Sequence, residues 1–252
     1  MLPLQPVLAN DERARTSLML FRILLAILSL NFMAELALSL KLNDTTDMFD
    51  STNRYMIIAT GLIALFRSLF TILLAVFFIM WMRRAYHNLH KAGSTFLSFS
   101  EGWAAGAWFV PFINLGRPWK IMSEIFQETQ LVFRKPNEFG FEKEHDNITG
   151  WWWAAFITSG VVAQIGSFVL RSGNLGTGYL FAAVSDLGYI LAAVLAMSMI
   201  KRISAMETDM MGRAQAYYAE LSAQYAAQYQ QYQQQQPPVQ GPWNEPPHHF
   251  GN

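Results

Sequence analysis

The chain has 252 residues, 52% of them hydrophobic and only 14% charged, where an ordinary soluble domain is roughly a quarter charged, so a membrane protein is the first reading. Eighteen basic residues balance eighteen acidic ones, which removes any general attraction to nucleic acid. No cysteine is present, which excludes disulfides, thiolate metal sites and cysteine nucleophiles.

A bilayer core of about 30 Å needs roughly 20 mainly apolar helical residues. Four runs qualify: 18–40, 55–82, 151–170 and 179–200. Residues 1–17 precede the first run with the polar stretch DERARTS and without a small-residue cleavage site, so we expect a retained anchor rather than a removed signal peptide. Lys and Arg set orientation. Arg13, Arg15, Arg83, Arg84, Arg117, Lys120, Lys143, Lys201 and Arg202 fall on one side of the four spans, with Lys41, Arg54 and Arg171 on the other. The bias predicts a multi-pass protein of the cell membrane with both termini and the long middle loop in the cytoplasm. Trp81, Trp103, Trp108, Trp119 and Trp151 to Trp153 fall near that interface, where amphipathic rings favour the headgroup level.

The middle loop begins as a continuation of the second span, because RRAYHNLHKAG has no breaker before Gly93. Next, Ser98 and Glu101 have capping-box spacing ahead of an apolar run from Gly102 to Leu115 that is 14 residues long, too short to span and interrupted by Pro111. Gly102 and Gly106 predict a flat surface for close helix contact. The segment is therefore expected to be re-entrant or interfacial, packed on the cytoplasmic end of the bundle. Pro118 then opens an amphipathic helix with Trp119, Met122, Ile125, Phe126, Val132 and Phe133 on one stripe, expected to lie in the interface plane with that stripe toward lipid. Residues 101–134 thus form an amphipathic layer in which Trp103, Trp108, Pro111, Asn114, Pro118 and Trp119 are the candidate interfacial residues.

The run RAYHNLHKAG, followed by FSEGWAAGAWFVPFINLGRPWKIMSEI, resembles the signature of the bacterial membrane proteins grouped as domain of unknown function 4328. The likeness runs from about the second span to the fourth and rests on Gly-Trp, Trp-Phe-Val-Pro-Phe and Asn-Leu-x-x-Pro elements in combination. It implies a multi-span bacterial membrane protein and brings no activity and no catalytic residues.

Arg67 lies twelve residues after Tyr55, about 18 Å into its helix and so near the bilayer centre. An ionisable group there needs a partner. Asn31 and Glu35 in the first span, Gln164 in the third and Asp186 in the fourth are the candidates. The cluster reads either as a structural ion pair that fixes helix register or as a proton or ion pathway with Asp186 titrating beside Arg67. Arg22, close to its helix end, can snorkel to the interface.

His87 and His90 share a helix face, as do Glu124 and Glu128, but nothing in the sequence brings the two faces together, and the spacing of Glu142 and His145 falls in a polar stretch, so no metal and no cofactor are expected. Gly188, Ala192 and Ala196 predict tight packing of the last two spans. Beyond residue 203 a helix with Tyr218, Tyr225, Tyr229 and Tyr232 on one stripe should end at Pro237, with disorder after it. The whole reads as an all-α integral membrane four-helix bundle with cytoplasmic interfacial or re-entrant helices between spans two and three. The expected function is a non-enzymatic scaffold or accessory subunit in a bacterial inner membrane. Its partners would be the lipid bilayer and a protein at the cytoplasmic face or tail, with a small transporter as the alternative.

Overall fold

Long apolar runs without internal proline dictate helix, and the computed structural model, which describes residues 7–42, 50–134 and 140–235, holds six α-helices and no strand among them. These are α1 (Asp11–Lys41), α2 (Ser51–Lys91), α3 (Trp103–Gly106), α4 (Arg117–Leu131), α5 (Ile148–Arg171) and α6 (Leu175–Gln235), with a 3-10 turn at Ile113–Leu115 before α4. The chain divides into two compact units, Met1–Met211 and Gly212–Asn252. In the second, residues 212–235 are helical with Tyr225, Tyr229 and Tyr232 exposed; the disorder expected beyond Pro237 lies outside the described residues.

Among the described residues four helices, α1, α2, α5 and α6, are long and apolar enough to cross a membrane. Their outer faces are compatible with lipid. Leu62, Leu65, Phe66, Leu69 and Ile72 of α2 are each more than half exposed, a stripe that water would penalise and lipid does not. Asp50 caps α2 by accepting from the Thr52 and Asn53 amides at 2.8 and 3.1 Å. The helix runs on through Lys91 and stops at Gly93, whose φ of 78° only glycine adopts without cost.

α1 packs along α2, α5 meets α6 through small residues, and the segment between α2 and α5 folds over one end. The fully buried side chains concentrate there: Trp81, Tyr86 and Leu89 of α2 meet Ile121, Met122, Ile125 and Phe126 of α4 and Met199 of α6. This corrects the expectation for α4. Its apolar stripe turns into the protein and not toward lipid, and only Trp119 at its start stays largely exposed. Met122, Ile125 and Phe126 of that stripe are fully buried against protein, each worth about 2 kcal/mol, which leaves little of it for a bilayer.

Two further expectations fail for local reasons. No capping box forms, because Glu101 bonds His87 Nδ1 at 2.9 Å instead of a backbone amide, and α3 has no side-chain cap. Nor do Gly102 and Gly106 mediate a close approach: a methyl group on Gly102 would meet nothing within 4 Å, and on Gly106 only the Trp103 ring at 3.9 Å. The stretch 102–116 is a chain of turns around the four-residue α3. By contrast, α5 and α6 do meet through small residues. A Cβ on Gly188 would overlap Ser159 Oγ, and one on Gly166 would lie 2.9 Å from the Phe181 Cβ.

Candidate functional site

The buried faces of α1 and α6 follow alternating three- and four-residue steps, the pattern of antiparallel helices that wrap in a shallow left-handed turn. On α1 the seam is Leu24, Leu28, Asn31, Glu35 and Leu38; on α6 it is Asp186, Tyr189, Ala193, Ala196, Ile200, Ile203 and Glu207. Each seam thus carries polar groups among apolar ones, and the structure pairs them.

Within the spans, Asp186 is held by two helices at once. One oxygen takes the Arg67 guanidinium of α2 in an ion pair, and the other accepts from Asn31 Nδ2 of α1 at 2.8 Å. The second hydrogen of that amide serves Glu35 Oε1, also at 2.8 Å. Asn31 and Asp186 are 0 and 1% exposed and Glu35 8%, while the Arg67 side chain keeps 22% and lies 5.6 Å from the centre of the Tyr189 ring. Asn31 Oδ1 and Glu35 Oε2 remain buried with no partner among the described residues. Gln164 takes no part: it points outward from α5, whose inward face near it is Gly166. Arg22 also faces outward.

A second polar layer, not expected from the sequence, lies at the end that carries α3 and α4. Here Glu207 of α6, 4% exposed, accepts from Asn10 Nδ2 at 3.2 and 3.1 Å, and Asn10 also donates to the Trp81 carbonyl at 3.2 Å. Asn88 of α2 stands beside them and pins the segment before α1 by exchanging two bonds with the Leu8 backbone at 3.0 and 2.8 Å. A cavity of about 10 Å³, room for about one water, opens between Asn10, Asn88, Ser204 and Glu207. Burial pushes the Glu207 carboxyl up to about 7, against the downward pull of the Asn10 amide.

The two layers are copies of one plan. Asn10 and Asn31, Arg67 and Asn88, and Asp186 and Glu207 are each 21 residues apart, three heptads, or about 31 Å of helix. Both place an α6 acid against an asparagine, Asn31 within α1 or Asn10 at its N-cap, and beside an α2 side chain. They differ in charge, since Arg67 is a cation and Asn88 is not. The common spacing is the sequence signal by which the second layer could have been found.

The interfacial candidates are dispersed over one surface. Trp108 is half-buried against Phe78, with ring centroids 6.0 Å apart, and against Trp153 at 5.9 Å. The chain then turns out through Pro111, which is exposed, and Phe112, whose φ of 63° is rare for a bulky residue. It returns through the half-buried Asn114, whose amide donates to the Val110 carbonyl at 3.0 Å, to Leu115, whose carbonyl accepts from Trp153 Nε1 at 2.8 Å. Pro118 is buried in the first turn of α4, Trp119 flanks Gly150 at the start of α5, and the Trp103 ring carries the Arg117 guanidinium at 4.0 Å. The loop before α3 is stitched down by Tyr86, whose hydroxyl donates to Glu124 at 2.8 Å and faces the Phe99 backbone.

His87 and Glu124 are occupied by Glu101 and Tyr86, and Glu128 accepts from the Ser94 hydroxyl at 2.9 Å. Beside His87, Glu101 is held below its usual carboxyl range. Among the described residues no group of three His, Asp or Glu side chains is placed to hold a metal ion.

The family model for a domain of unknown function, DUF4328, matches residues 44–205, well over half of the chain, and the chain belongs to that family. No curated protein and no solved structure matches it.

Proposed function

We propose that this chain is a non-enzymatic scaffold or accessory subunit of a bacterial inner membrane, which holds its helix bundle rigid through the two polar layers and offers its α3–α4 end and C-terminal helix to partners in the cytoplasm. The observation that carries this reading is the pairing of Asp186 with both Arg67 and Asn31: the carboxylate and the guanidinium are spent on joining α1, α2 and α6. Cytoplasmic placement of both termini rests on the Lys and Arg bias, since Arg13, Arg83, Arg84 and Arg202 gather at the end where Asn10 meets Trp81. The exposed Tyr225, Tyr229 and Tyr232 are the contact points we assign to a protein partner.

Photo-crosslinking from Tyr229 in intact cells tests the scaffold. One discrete product, kept when Arg67 and Asp186 are both replaced by leucine, supports it. Diffuse labelling at every position, together with a proton flux in liposomes that Asp186→Asn abolishes without loss of folded protein, refutes it.

One observation favours a second reading, a proton pathway. Glu35 Oε2 and Asn31 Oδ1 are buried without partners, so Glu35 could take up and release a proton beside the ion pair. Loss of flux in Glu35→Gln alone would select this reading.

A further inference from the structure

The turn 109–115 is fastened at a definite depth. Trp108, immediately before it, packs on Phe78, five residues inside Arg83, or about 7.5 Å toward the middle of α2, and the last carbonyl of the turn is bonded by Trp153. At that level the surroundings of a spanning helix are acyl chains, yet Phe109, Phe112 and Leu115 are 75, 87 and 57% exposed.

Just past the turn the character changes. Phe99, bonded through its backbone to Tyr86 on the outer side of Arg83, lies with Trp103 under two cations: the Arg117 guanidinium is 4.7 and 4.0 Å from the two ring centres, and Lys120 Nζ is 5.3 Å from that of Phe99. Arg83, Arg134 and Arg202 each have a carboxylate partner, but Arg117 and Lys120 have none among the described residues. Aromatic faces fix the plane of a guanidinium and leave its N–H edge open, the geometry that grips a phosphate with two parallel bonds.

We propose that Arg117 and Lys120, with the exposed turn 109–115, form a docking site for one anionic phospholipid of the adjacent leaflet, its phosphate on the two cations and an acyl chain along Phe112 and Leu115. Two unpaired cations select an anionic over a zwitterionic headgroup. The apolar turn at acyl depth selects a lipid over a soluble anion or a protein. Near an anionic surface each such cation changes binding about fivefold.

The test is lipid retention by the full chain in nanodiscs of phosphatidylglycerol and phosphatidylcholine, read by native mass spectrometry. Wild type should retain phosphatidylglycerol selectively. Arg117→Gln with Lys120→Gln should lower that retention on the order of 25-fold, and Lys120→Gln alone, a change at an exposed side chain that leaves the fold intact, about fivefold. Arg171→Gln with Lys41→Gln, the same loss of charge at the opposite end, should change nothing. Phe112→Ser should weaken retention while sparing headgroup preference. Equal retention of the two lipids by wild type, or full retention by a folded Lys120→Gln protein, overturns the proposal. So does displacement by inorganic phosphate with no effect of Phe112→Ser, the signature of a bare anion site.

Discussion

Glu207→Gln should make the protein more stable in alkali and leave it unchanged in acid. The wild-type carboxyl is moved by burial from the usual 4.5 to about 7. Below pH 4.5 folded and unfolded chains both hold the proton, and burial carries no ionic penalty. Between 4.5 and 7 the unfolded chain ionises first, so stability falls as pH rises, and above 7 the loss is complete. The shift corresponds to on the order of 3 kcal/mol. Asp11 nearby adds to the penalty and the Asn10 amide subtracts from it, so the direction is set by burial. Glutamine keeps the shape and the acceptor for Asn10 and removes the titration. In a mild detergent, melting followed by tryptophan fluorescence should give coincident midpoints for the two proteins at pH 4.5 and a midpoint about 6 to 12 °C higher for the variant at pH 8.5. Parallel pH profiles would refute the reasoning.

Replacing Arg67 alone by leucine strands a buried carboxylate and should cost about 3 to 5 kcal/mol, whereas Arg67→Leu with Asp186→Leu should return to within about 2 kcal/mol of wild type in denaturant titrations. Gly188→Ala drives a methyl group into Ser159 Oγ and should cost about 1 to 3 kcal/mol, partly restored by Ser159→Gly in the same titration. Tyr86→Phe removes the hydroxyl that ties Glu124 to the Phe99 backbone; limited proteolysis should cut residues 94–102 about 5- to 150-fold faster, for a local loss of about 1 to 3 kcal/mol.

The spans were legible because composition alone decides them: a run of about 20 apolar residues cannot be anything but membrane-buried or deeply internal. The continuation of α2 through Lys91 was legible for the same local reason, the absence of a breaker before Gly93. Pairing by charge at a common depth was legible too, since Arg67 meets Asp186, Asn31 and Glu35 as expected, whereas choices between two chemically equivalent partners were not. The α4 stripe is visible in the sequence, but protein and lipid satisfy it equally, and only the facing Trp81, Tyr86 and Leu89 decide between them. Glu101 has capping spacing, yet His87 outbids the helix amide for it. Gln164 lies at a plausible depth, and depth says nothing about which way round α5 it points. Asn10, Asn88 and Glu207 fall outside the apolar runs, where a polar residue carries no signal of its own, although they repeat Asn31, Arg67 and Asp186 at a constant interval.

That constant interval governs how the bundle can move. A single polar joint between two helices is a pivot, free to let them rock or slide by a turn. Two joints about 31 Å apart oppose both motions, because a slip of one helix past the others misaligns both ends together. Sliding α6 past α1 by a turn therefore has to break the bonds of both layers at once.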